Sequence, residues 1–215
     1  MMLYLQGKGC HNINVVTPTH YSPHIVLALD QAAAKGLRLP LVYNTCGWER
    51  LEILKKLDGI VDIYLPDMKY ADGKMALKYS SLAPPDMKRS RPDVAERYSS
   101  SETYPELNRM SLLEMHRQVG VAKPGRDGLV RKGLMIRHLV MPNRVSGAKE
   151  VVKWIAGNLP KDTYLNIMSQ YRPEYRASRY PKISRRITRA EYAEVVRAAK
   201  AAGLTNLDIQ GQRRL

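Results

Sequence analysis

A chain of 215 residues can bury one substantial core, and a 44% hydrophobic content excludes a mostly disordered polypeptide. No apolar run reaches the ~20 residues of a membrane helix, and residues 1–9 lack the charged-then-apolar order of a secretory leader, so cytoplasmic residence without a membrane partner is expected. The formal net charge of +15 calls for an anionic partner: nucleic acid, a phosphorylated ligand or an acidic protein.

Six short apolar segments, each ending in polar or turn residues, read as strands: 13–17, 40–44, 60–67, 134–142, 164–170 and, more weakly, 207–210. Their near-continuous hydrophobicity suits a parallel sheet with covered faces. Helical patterns lie between them. The first runs from 22 to 35, with Ser22 placed to cap it, Pro23 to open it and Gly36 to end it. Others span 48–57, 107–119, 148–158 and 188–202, the last with Thr188 and Glu191 spaced as a capping box. Strand and helix alternating with short connections predict a parallel α/β sheet in a single domain, either curled as in a β/α barrel or open and doubly wound. Residues 66–81 and 85–100 repeat each other at half of their positions, and both begin Pro-Asp-Met-Lys. Only the first copy follows a strand, so residues 82–103 are expected to be a duplicated loop insertion without a site of its own.

In either architecture ligands gather at the carboxyl ends of the strands. Those ends carry Thr17, Pro18, Thr19, Asn44, Asp67, Lys69, Arg137 and His138. Asp67 and Lys69 flank Met68, so in an extended strand end both project to one side, a pairing suited to a zwitterion. Arg137 interrupts an otherwise apolar strand and needs a counter-charge or a ligand. His20 and His24 are separated by Pro23 and do not share a helix face. Cys10 and Cys46 are too few and too far apart in the chain to build a zinc or iron–sulfur site unaided. Residues 171–189 interleave Tyr171, Tyr175 and Tyr180 with seven basic residues and read as a possible platform for single-stranded RNA.

Taken in order, GCHNINVVTPTHY (9–21), LPLVYNTCGWE (39–49), LDGIVDIYLPDMKY (57–70), EMHRQVG (114–120), GLMIRHLVMPN (133–143) and YLNIMSQYRP (164–173) resemble successive blocks of a radical SAM family related to pyruvate formate-lyase activating enzymes. The likeness runs from about residue 3 to residue 210, apart from the duplicated insertion. It implies a partial TIM-like β/α barrel that binds S-adenosylmethionine at its strand ends. In such enzymes a 4Fe–4S cluster reduces the sulfonium to a deoxyadenosyl radical, and activating members take hydrogen from a partner protein. By position, Thr17, Pro18 and Thr19 stand where relatives carry a Gly-Gly-Glu contact to the methionine amino group, and they differ from it in type. Asn44, Asp67, Lys69 and Arg137 stand where relatives contact the methionine and ribose, with His138 behind them. The family's C-x3-C-x2-C loop follows a first strand and precedes a helix that resembles residues 2–8. The chain is therefore expected to lack that strand, the cluster and radical activity. Its segment 13–17 would then be an exposed edge, covered by residues 1–8 or open to self-association. Two other readings stand beside this one: an RNA-binding module built on 171–189, and an acid–base enzyme working through Asp67 and Lys69.

Overall fold

The architecture comes from a computed structural model, which describes residues 1–80 and 100–210. Six parallel strands form one sheet in the order of the chain: β1 (Ile13–Val16), β2 (Leu41–Thr45), β3 (Ile63–Pro66), β4 (Gly133–Leu139), β5 (Tyr164–Met168) and β6 (Leu207–Ile209). That order decides between the two predicted sheets. A doubly wound sheet reverses direction at a switch point. Here each strand lies beside its predecessor, and right-handed crossovers then put the helices that pack on the main core on the same face. The sheet is α/β, parallel and compatible with part of a barrel, although β1 and β6 do not pair with each other.

The helices are α1 (Met2–Gly7), α2 (Ser22–Ala34), α3 (Leu51–Lys56), α4 (Gly73–Ser80), α5 (Tyr104–Val119), α6 (Ala148–Asn158) and α7 (Arg189–Ala201). Their apolar stripes meet strand residues that point away from the open face. Leu41, Tyr43, Tyr64, Leu134, Ile136, Leu165 and Ile167 pack with Leu54, Leu112, Met115, Val151, Ile155 and Ala199 in one core. The capping box opens α7 as expected: Thr188 Oγ1 accepts from Glu191 N at 3.1 Å and Glu191 Oε2 accepts from Thr188 N at 2.8 Å.

Three expectations need correction. Ser22 is the first residue of α2 rather than its cap; its hydroxyl turns back to the carbonyls of Pro18 and Thr19 and to Tyr43 Oη. The helix expected from residue 48 begins at Leu51, because Gly47 (φ +74°) and the buried Glu49 are used by a turn. The helix α4 was not anticipated: its Met75, Ala76 and Tyr79 pack on a second, smaller core with Tyr70, Tyr104 and Tyr171. Residues 81–99, most of the duplicated insertion, lie outside the described residues; 100–103 form a short 3-10 turn leading into α5. Helix α1 packs Met2 and Leu5 on the core and is fastened through Gln6 to Gly36 O and Arg38 N, below the sheet at its amino end. Among the described residues no strand pairs with the outer side of β1, and no helix is long and apolar enough to cross a membrane.

Candidate binding site on the open face of the sheet

With the helices of the main core on one face, alternate strand residues look onto the other. Register puts four polar ones in a row: Asp67 bridges Arg137, Arg137 lies opposite Asn166, and Asn166 opposite Asp208. Four neighbouring strands thus present carboxylate, guanidinium, amide and carboxylate at one level. Arg137 Nη2 lies 2.8 Å from Asp67 Oδ1 and donates to Asn44 Oδ1 at 2.7 Å, reaching across β3 to β2. Lys69 Nζ lies 3.6 Å from Asp67 Oδ2. Asp208 Oδ2 accepts from Tyr164 Oη at 2.8 Å and from Asn166 Nδ2. The phenol of Tyr164 is pushed up to about 12, first by burial and then by this carboxylate.

The row is not self-sufficient. Arg137 Nε, Asp67 Oδ1 and Asn166 Oδ1 are all buried and none has a hydrogen bond within the protein. The Arg137–Asp67 contact is one of charge rather than of an aligned N–H donor. Native interiors leave few such groups, and each one lost costs about 1–3 kcal/mol. Three of them lie at one level on adjacent strands. Beside the Asp67–Arg137 end of the row opens a cavity of about 790 Å³, bounded by Asp67, Lys69, Arg137, Leu139 and Met168 and by residues of α4 and of 170–183; Asn44, Asn166 and Asp208 are not among its lining residues. That volume falls within the range of ligand pockets, roughly 300–1,000 Å³.

The frame around the row is held from α5. Tyr104 Oη accepts from Lys69 N at 2.9 Å and stands 3.1 Å from Asp67 O and 3.2 Å from Cys46 O. Asn108 Nδ2 donates to Gly47 O at 3.0 Å and to Asp67 O at 2.9 Å. A Cβ at Gly47 would sit 2.2 Å from Asn108 Nδ2 and 2.5 Å from Asp67 O, so glycine is required there. Burial raises the pKa of the Tyr104 hydroxyl well above its usual value.

Of the residues singled out in the sequence, the structure brings Asn44, Asp67, Lys69 and Arg137 together. It does not bring the other four to the cavity. Thr17 is a β-branched residue in left-handed conformation (φ 52°) at the end of β1. Pro18 is buried in the 3-10 turn that follows, and Thr19 Oγ1 donates to Glu49 Oε1 at 2.7 Å. Thr45 donates to the same oxygen, while Glu49 Oε2 is buried without a partner, and burial raises this carboxyl's pKa. His138 points to the helix side, opposite Arg137. Its Nδ1 lies 2.6 Å from Met68 O and its Nε2 3.4 Å from Ser146 Oγ, the arrangement of a neutral ring that donates to the carbonyl and accepts from the hydroxyl. Asn166 and Asp208 were missed, although polar residues inside the apolar runs YLNIM and LDI signal a face that is not packed. Tyr104, Asn108 and Glu49 carry no such local signal.

Cys10 precedes the amino end of β1, whereas Cys46 follows the carboxyl end of β2. The two thiols are at opposite ends of the sheet and cannot share a metal. Among the described residues no group of three or more His, Cys, Asp or Glu side chains is placed to hold a metal ion. In the 171–189 segment, Tyr171 is buried with its hydroxyl donating to Ile183 O at 2.7 Å. Arg185 is held by Glu191, with its Nη2 also donating to Asn143 Oδ1.

Over 202 residues the chain is 31% identical to the uncharacterized protein MJ0674 of Methanocaldococcus jannaschii, an alignment that takes in 92% of this chain and 48% of that protein. The chain therefore spans about half the length of the curated relative it matches. No family model matches the chain, and no solved structure matches it.

Proposed function

We propose that the chain is a radical SAM-like β/α-barrel protein of the activating-enzyme type, and that the open face of its sheet binds S-adenosylmethionine. The observation that carries this reading is the row Asp67–Arg137–Asn166–Asp208 with its three buried atoms that have no hydrogen bond within the protein. A ligand with an amino-acid tail and ribose hydroxyls complements them. Arg137 Nε offers a donor to a carboxylate, Asp67 Oδ1 an acceptor to an ammonium, and Asn166 Oδ1 an acceptor to a hydroxyl. Asn44 and Lys69 hold Arg137 and Asp67 in place for this task. When bound, the cofactor supplies a sulfonium whose carbon–sulfur bond is open to reductive cleavage. The order of the strands and the sequence blocks quoted above favour the same reading.

A 4Fe–4S cluster does not fit the donors of this chain. It needs at least three thiolates close together, and Cys10 and Cys46 lie at opposite ends of the sheet. We therefore propose S-adenosylmethionine binding without cluster-dependent chemistry by these residues alone. The test is anaerobic incubation of the purified chain with iron and sulfide, followed by thermal melting with S-adenosylmethionine. The expected outcome is no iron–sulfur absorbance and a ligand-dependent rise in melting temperature. A stoichiometric cluster would overturn the cysteine argument, and no thermal shift at millimolar ligand would overturn the binding argument.

A further inference from the structure

The cavity continues outward from the polar row, and its outer half is differently made. Tyr70, Tyr79, Tyr171, Tyr175 and Tyr180 line it together with Met141 and Ile183. Between these rings stand Lys78, Arg172 and Arg176. Lys78 Nζ lies 5.5 Å from the centre of the Tyr79 ring, and the Arg176 guanidinium lies 5.1 Å from that of Tyr175. Tyr79 and Tyr180 meet edge to face at 5.6 Å.

Elsewhere on the molecule some cations are engaged by carboxylates: Arg117 by Asp58 and Glu114, Arg131 by Asp127, Arg144 and Lys149 by Glu194, Arg185 by Glu191. Among the described residues no carboxylate stands within ion-pair reach of Lys78, Arg172 or Arg176. Glu174 also lines the cavity, and Asp67 is already engaged with Arg137 and Lys69. Among the described residues the outer half is thus an aromatic wall whose three cations have no carboxylate within ion-pair reach. At its mouth Tyr175 is 80% exposed and holds a left-handed backbone (φ 53°), which is costly for an aromatic residue and often marks a site of use.

We propose that this outer half binds a small aromatic anion, a ring bearing a phosphate or carboxylate group, as the substrate that meets the cofactor site. Guanidinium groups match such oxygens with paired N–H donors, and tyrosine faces and edges accept the ring. A single nucleic-acid strand is disfavoured by the same geometry. Stacking needs ring faces open in succession, whereas Tyr171 is buried with its hydroxyl tied to Ile183 O and Tyr180 packs against Tyr79. The inference rests on the cavity being the ligand site named above, but its test uses residues outside the polar row.

The experiment is a titration of the full chain with 1-naphthyl phosphate, 1-naphthoate, 1-naphthylmethylamine, inorganic phosphate and an oligothymidylate, followed by ligand-observed NMR. One or both naphthyl anions should bind, and which of them does identifies the acidic group. The amine and inorganic phosphate should bind at least tenfold more weakly. The double change Arg172→Glu with Arg176→Glu, at an exposed and a half-buried position, should weaken the anion at least tenfold and leave S-adenosylmethionine binding within twofold. If that double variant does not fold, Lys78→Glu carries the same test with an expected threefold loss. Equal binding of the amine, oligothymidylate outcompeting the naphthyl anions, or unchanged anion affinity in the folded variants would each overturn the proposal.

Discussion

Replacing His138 by glutamine should remove a distinct acid sensitivity from the fold. The wild-type ring is buried, and burial pushes its pKa down to about 4. An unfolded histidine takes up its proton near pH 6.5. Between those values the unfolded chain binds a proton that the folded chain refuses, so stability falls as the pH drops through the window. The cost from this group, at about 1.4 kcal/mol for each pH decade, is about 2 kcal/mol at pH 5 and about 3 kcal/mol at pH 4. Above pH 6.5 it vanishes. Glu49 works in the opposite sense, since its raised carboxyl pKa lets the folded state keep a proton at a pH where the unfolded chain has lost it. The comparison must therefore be between two proteins that share Glu49. Glutamine can still donate to Met68 O but does not titrate. Urea unfolding at pH 7.5, 5 and 4 should show the wild type losing about 2 and then about 3 kcal/mol more than His138→Gln. Parallel stability curves would refute the buried neutral ring.

Gly47→Ala should destabilise by about 3 kcal/mol, from a disfavoured positive φ and the loss of the Asn108 bonds, and should displace Asp67; urea midpoints and S-adenosylmethionine titration read both effects. Tyr104→Phe removes the hydroxyl that serves Lys69 N, Asp67 O and Cys46 O, and should cost about 1–3 kcal/mol with little change in the core. Thr188→Ala should cost about 1 kcal/mol through the lost capping box and leave ligand binding unaltered, as a thermal melt with and without S-adenosylmethionine would show.

Near-continuous apolar runs and capping signals act within a few residues, and such features were legible in the sequence. All six strands, and the helices that became α6 and α7, follow from them. So do Asp67 and Lys69, which project to one side because only Met68 separates them, and Arg137, whose charge in an apolar strand demanded a counter-charge. The choice between barrel-like and doubly wound sheets was not legible, since both produce the same alternation. Strand pleating sends the adjacent residues Arg137 and His138 to opposite faces, a separation that the alternation of a strand does encode. Glu49, Tyr104 and Asn108 matter through contacts between segments far apart in the chain, such as Asn108 with Gly47, and no local pattern encodes those. Helix α4 lies wholly within the first copy of the repeat, 66–81, where no helical pattern was read.

The most direct measurement is calorimetric titration of S-adenosylmethionine into the wild-type chain, Asp67→Asn and Arg137→Met. Both substitutions strip one charge from the polar row and leave the side chain's approximate size. The account predicts saturable binding to the wild type and at least a tenfold loss in each variant, the equivalent of about 1.4 kcal/mol or more. No heat with the wild type at millimolar ligand, or equal affinity in all three proteins, would contradict it.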